Sequence, residues 1–224
     1  MTQSSPIACE EFLSNLEKSF SLSLNHIKSM ISEFHTEMKN GLSGSESSLK
    51  MIPSLMDRPE GNEKGNFFAL DLGGTNFRVL AGKLDGKRNA SVSAVSKFAI
   101  PEKDMQGTGV QLFDFIAGGI DSFLTENRID RTKVYDLAFT FSFPVEQTSI
   151  AAGKLIVWTK GFTAKGVQGQ DVVGLLNQAL KRKQIRCINV TALANDTVGT
   201  LVARSYADPT CDMGVIMGTG TNAC

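Results

Sequence analysis

Four short stretches carry residue types that chemistry needs. Asp71 closes the apolar run Phe67-Phe68-Ala69-Leu70 and stands before Gly73-Gly74-Thr75-Asn76, after which apolar residues resume from Phe77 to Leu80 around Arg78. Glycines let a backbone approach a ligand, and clustered amides attract an anion. The same string also fits an ordinary β-hairpin whose glycines serve only the turn. Asn195-Asp196-Thr197 offers a carboxylate between a strand pattern and a helix pattern. Ligands of open α/β sheets bind at such strand ends, and helix N-caps use the same residue types. Ser142 through Lys160 supplies hydroxyls (Ser142, Thr159), a cation (Lys160) and rigid apolar walls (Phe143, Pro144, Trp158), a mix suited to a polyhydroxyl ligand. Gly218-Thr219-Gly220-Thr221-Asn222 echoes the first glycine turn after a second apolar strand. Two such turns facing each other could hold a chain of phosphates. The last stretch also matches the dinucleotide fingerprint, Gly218-x-Gly220-x-x-Ala223, which requires a helix to follow. The chain has no GxxxxGK[ST] string, so a P-loop is excluded.

These residues need elements to position them. Phe67–Leu80 reads as two strands around a turn, and Ala90–Ala99 as a third. Residues 109–127 read as a helix, with Leu112, Phe113, Ile116, Ile120, Phe123 and Leu124 on one side. Gly118-Gly119 inside it costs about 2 kcal/mol in propensity against Ala-Ala, which close packing would explain. Val134–Phe141 reads as a strand buried on both faces. Gln170–Arg182, Ile185–Leu193, Val198–Tyr206 and Met213–Met217 alternate helix, strand, helix, strand, so the class is α/β. Upstream, Leu13, Leu16, Phe20, Leu24, Ile27, Ile31, Phe34 and Met38 keep a helical period. Ser5-Pro6 suits its start, and Ser21 or Ser23 caps a second helix where the pattern breaks. The expectation is a helix packed on its own domain, since the period is short for a coiled coil. Residues 41–66 read as a linker pinned by Met51, Ile52, Leu55 and Met56.

Bulk numbers narrow the function. The 224 residues hold 42% hydrophobic and 21% charged residues, an ordinary globular composition. Lys+Arg and Asp+Glu are both 23, which argues against nucleic acid or a membrane surface as main partner. No apolar run reaches the length of a membrane span. The first 20 residues lack a signal-peptide pattern. Cys9, Cys187, Cys211 and Cys224 show no CxxC spacing and suit free thiols in the cytosol.

Taken together, the stretches resemble the hexokinase family. DLGGTNFR (71–78) resembles its first phosphate motif, and FTFSFPVEQTSIAAGKLIVWTKGF (139–162) its sugar-binding segment. NDTVGTL (195–201) resembles the segment of its catalytic aspartate, and GVIMGTGTNAC (214–224) its second phosphate motif. All four stand in the family's order, and KMIPS (50–54) resembles its lead-in. The resemblance implies a two-lobed RNase H-like, actin-like ATPase fold and an ATP-dependent hexose 6-kinase, the first step of glycolysis, located in the cytosol. It implies that Asp196 is the base and Lys160 a second catalytic residue. Ser142, Phe143, Pro144, Thr159, Lys160, Asn195, Asp196 and Asn222 would line a hexose such as glucose. Asp71, Gly73, Gly74, Thr75, Asn76, Arg78 and Thr219 would hold ATP, with Asp71 binding Mg²⁺ through water.

The family extends for about as long again beyond the second phosphate turn, and there carries sugar-gripping glutamates and the adenosine pocket. The resemblance therefore implies the N-terminal half of a hexokinase, with little or no activity alone. Residues 1–54 and 198–224 would belong to the large lobe and 55–197 to a complete small lobe. Two other readings stay open: a sugar-sensing protein on the same fold with little catalysis, and a general actin-like ATPase, which would not need the 139–162 segment.

Overall fold

A computed structural model describes residues 6–218 and 220–224. The chain forms two compact units, Met1–Ile52 and Pro53–Cys224. In the first, α1 (Pro6–Phe20) and α2 (Leu24–Leu42) break where the sequence pattern breaks. Ser23 is the N-cap, accepting a hydrogen bond from the His26 amide at 3.2 Å. The start proposed at Ser5 lies outside the described residues. Within this unit the apolar period finds little cover. No residue of α2 is buried, and Leu13, Leu16, Phe20, Leu24, Ile27, Ile31 and Phe34 are exposed. In the linker that follows, Met51 and Met56 are half-buried, but Ile52 and Leu55 are exposed rather than pinned.

The second unit is built on a five-stranded sheet in the order β3-β2-β1-β4-β7. Its strands are β1 (Lys64–Leu72), β2 (Asn76–Asp85), β3 (Ala90–Ala99), β4 (Tyr135–Phe141) and β7 (Ile188–Ala194). The first three form an antiparallel meander, whereas β4 and β7 run parallel to β1. Alternation decides the faces. Phe68, Leu70 and Leu72 of β1 and Leu137, Phe139 and Phe141 of β4 are buried in the core. Asp71 and Thr140, register partners, fall on the other side and stay half-buried. The expectation that β4 is buried on both faces is therefore corrected: its second face is only partly covered.

Helix α4 (Gly109–Glu126) closes the core with Leu112, Phe113, Ile116, Ile120, Phe123 and Leu124. Its N-terminus carries a capping box between Thr108 and Gln111. A Cβ at Gly119 would lie 2.3 Å from the Phe77 ring, so the helix needs glycine there to approach β2. A Cβ at Gly118 meets nothing within 4 Å, so close packing accounts for only one of the two glycines. Helix α5 (Val172–Arg182) packs beside α4, its N-cap Asp171 accepting from Val173 and Gly174.

Several elements went unforeseen. They are the short helix α3 (Glu102–Met105), the hairpin β5 (Val145–Ser149) with β6 (Ala152–Leu155), and β9 (Thr221–Ala223). Strand β9 pairs antiparallel with β8 (Val215–Met217). The chain after Gly218 thus folds back as a strand. Residues 221–223 are strand where the dinucleotide fingerprint needs a helix to open, so it is set aside.

Candidate functional site

Helix α6 (Asp196–Ala207) begins at the carboxyl end of β7, with Asn195 as N-cap. The Asn195 side chain accepts from the Thr197 amide at 3.1 Å. That amide also donates to Asp196 Oδ1 at 2.9 Å, and the Thr197 hydroxyl approaches the same oxygen at 3.4 Å. Thr197 is fully buried, so it fixes the carboxylate against the helix start, where the helix dipole favours negative charge. Sequence reasoning gave Thr197 no role. Its place two residues past an N-cap asparagine was the available signal.

Lys160 faces Asp196, with Nζ 4.0 Å from Oδ2 and both side chains about one-third exposed or less. A tight turn presents it. Lys160 has φ +55° and Gly161 φ +82°, and the Phe162 amide donates to the Thr159 carbonyl at 3.1 Å. Two successive left-handed residues closing an i to i+3 bond match a type I′ turn. Glycine adopts that φ freely, whereas lysine is strained there, and neighbours must enforce it. An aromatic cluster stands beneath. The Phe143 ring lies 4.8 Å from Trp158 and 5.0 Å from Phe162, and Trp158 donates to the Ala164 carbonyl at 2.9 Å. Lys160 Nζ sits 5.7 Å from the Phe143 ring centroid, within cation–π range.

The first glycine turn joins β1 to β2. The Gly73 amide donates to the Asn76 carbonyl at 3.0 Å, and Asn76 Nδ2 to the Thr75 hydroxyl at 2.8 Å. Neither Gly73 nor Gly74 has a positive φ, so left-handed backbone is not why they are glycines. A Cβ at Gly74 would press on Lys160 Cβ and Cδ at 3.4 Å. The turn therefore lies against the lysine that faces Asp196. Asp71 belongs to the same group. Burial pushes its carboxyl above the usual carboxylate range, and the Asp196 charge adds to this, while Arg78 and Lys160 oppose it.

The second turn enters through Asn222, whose Nδ2 donates to Asn195 Oδ1 at 3.0 Å. Gly214 fits tightly against α6, since a Cβ there would lie 2.8 Å from the Thr197 carbonyl. Thr219 lies outside the described residues.

The structure thus gathers Asp71, Gly74, Phe143, Lys160, Asn195, Asp196 and Asn222. Ser142 is buried beside them, its amide donating to the Leu72 carbonyl at 3.2 Å. Arg78 is turned to Asp71 at 3.3 Å. Thr159 is exposed and Pro144 half-buried. Among the described residues, no three His, Cys, Asp or Glu side chains are disposed to hold a metal ion. Among the described residues, no helix is long and apolar enough to cross a membrane.

A family model described as Hexokinase matches residues 12–206. The chain belongs to the hexokinase family. It is 45% identical over 207 residues to Hexokinase-3 of Rattus norvegicus, covering 92% of this chain and 22% of that one. It is 46% identical over 210 residues to Hexokinase-1 of Bos taurus, covering 92% and 23%. A hexokinase from Schistosoma mansoni, solved with glucose, superposes with a TM-score of 0.85 at 39% identity, over 98% of this chain and 50% of that one. A second hexokinase crystal structure gives 0.76 at 34% identity, over 91% and 50%. The chain thus spans less than a quarter of the curated relatives and half of the solved ones. The fold is the α/β, actin-like ATPase fold of hexokinases.

Proposed function

We propose that the protein to which this chain belongs transfers the γ-phosphoryl group of ATP to the 6-hydroxyl of a hexose such as glucose. The observation that carries the reading is the facing of Asp196 and Lys160 beside the first glycine turn. Phosphoryl transfer needs little covalent help from a protein; it needs positioned groups and offset charge. Asp196 orients the 6-hydroxyl and accepts its proton as the new P–O bond forms and the bond to ADP breaks. Lys160 holds sugar oxygens and offsets charge. Ser142, Phe143, Pro144, Thr159, Asn195 and Asn222 line the sugar. The solved relative with glucose supports that substrate class.

The amides of Gly73 to Asn76, with Thr219 and Arg78, hold the ATP phosphates. One half-buried carboxylate is too few ligands for a metal cage, but it fits a Mg²⁺ held through water. Asp71 would be that carboxylate; burial and then the Asp196 charge raise its pKa, and a nearby cation would favour its ionised form. When bound, Mg²⁺ neutralises phosphate charge. Residues 55–197 form the small lobe in this reading, with 1–54 and 198–224 in the large lobe, and the protein works in the cytosol as a glycolytic kinase.

The test is ADP release by the full-length parent, with and without hexose. Asp196→Ala should cut hexose-dependent release by about 10²–10⁴-fold while hexose binding persists. Release that ignores hexose, or a variant that still turns over, overturns the reading.

A further inference from the structure

The second glycine turn hangs on a two-stranded hairpin outside the main sheet. The geometry points to Arg58 as a positioning residue for that turn, clamping the loop between α6 and β8. The inference rests on the phosphate role proposed for the turn.

Arg58 lies before β1, in the irregular segment Asp57–Glu63. Its guanidinium reaches about 150 residues along the chain. Nη2 donates to the Pro209 carbonyl at 3.4 Å and to the Cys211 carbonyl, and Nη1 pairs with Asp212 at 2.8 Å. One planar fork thus spans three acceptors on a single loop, a task that suits arginine and not lysine. The loop is also tied from behind. Ser205 Oγ donates to the Leu201 carbonyl at 2.6 Å and stands 3.4 Å from the Cys211 carbonyl, and the Cys211 amide donates to the Asp208 carbonyl at 3.1 Å. Gly214 then enters the hairpin, exchanging two backbone bonds with Cys224 at 3.0 Å each.

Beside Arg58 the same segment grips the end of α6. Arg88 donates to the Tyr206 carbonyl at 3.3 Å and to the Glu60 carbonyl at 2.7 Å. The buried Tyr206 hydroxyl donates to the Glu63 carbonyl at 2.8 Å. This inner knot is packed: a Cβ at Gly61 would strike the Arg88 guanidinium at 2.5 Å. Arg58 is different. Its side chain is 55% exposed and that of Asp212 is 79% exposed. Exposed pairs add little to global stability. Arg58 can therefore restrain the loop without holding up the fold, and losing it moves the hairpin relative to Asn195 and the first turn.

Two measurements decide. In hydrogen exchange on the full-length parent, Arg58→Ala speeds exchange across residues 211–224 and leaves β1, β2 and β4 unchanged. In the full-length parent, the same variant raises KM for ATP about threefold. The effect is bounded, because a restraint shifts a population by no more than its own free energy. KM for hexose rises less than KM for ATP, the thermal midpoint stays put, and Arg58→Lys falls between. Unchanged exchange at 211–224, exchange accelerated everywhere, or equal rises in both KM values overturns the inference. A wild-type parent without ATP–hexose turnover removes the kinase reading and the nucleotide role of Arg58 together, and exchange then decides the clamp alone.

Discussion

The two glycine turns are near twins in sequence and unlike in support. The first sits between Leu72 and Phe77, both fully buried, in the middle of a five-stranded sheet. The second hangs from a hairpin whose Val215 and Met217 are 45% and 84% exposed. The second turn keeps its place through a few polar and steric contacts: Asn222 on Asn195, Gly214 on α6, and Arg58 on the approach loop. Within these residues the same motif thus rests on a five-stranded core in one place and on a few side-chain and backbone contacts in the other.

Mutations can break this contrast. The largest effect belongs to Phe77→Ala. Removing a fully buried ring should cost about 3–5 kcal/mol in denaturant unfolding. Gly119→Ala comes next, at about 1–3 kcal/mol, because the added methyl meets that same ring. Its neighbour gives the control: Gly118→Ala meets nothing and should gain up to about 1 kcal/mol from helix propensity. Equal effects at 118 and 119 would refute the notch.

Asp71→Asn should act through pH. Folding raises the Asp71 pKa above 3.8, chiefly by burial. The stability tied to its neutral form is therefore complete below 3.8 and lost as pH rises through the folded value. Asparagine stays neutral, so the variant should gain on the parent as pH rises from 3.8 through the folded value. A variant that loses ground with rising pH would mean that the Arg78 pairing outweighs burial. The smallest effect is Met217→Ala, within about 0.5 kcal/mol, as an exposed site away from special contacts should be. A large loss there would show that the second turn is as firmly built as the first.

Much of this was legible in the residues. The β1–β2 hairpin, β3 and α4 followed from period and turn chemistry, and the serines at 21 and 23 announced the helix break, of which Ser23 is the cap. Short elements were harder. Strands β5 and β6 turn through Ile150-Ala151, with no glycine or asparagine to mark a turn. Helix α3 has only four residues. Strand β9 hid inside a string that also spells a dinucleotide fingerprint. For the candidate site, residue types were legible, whereas two placements were not. The left-handed Lys160 depends on an aromatic cluster gathered from 141 to 162, and its approach to Asp196 joins positions 36 apart through tertiary packing. The apolar stripe of α1 and α2 was visible too, yet its period could not say what would cover it.

The sheet order has a consequence for assembly. Strands β1, β2 and β3 are neighbours in sequence and pair locally. Strand β4 must close a long loop to lie parallel to β1, and β7 another to lie parallel to β4. Loop closure of this kind slows folding, and such contacts form late. Asp196 follows directly on β7, so its surroundings are completed near the end of the pathway. Substitutions there should change how fast the native state opens and hardly touch how fast it forms.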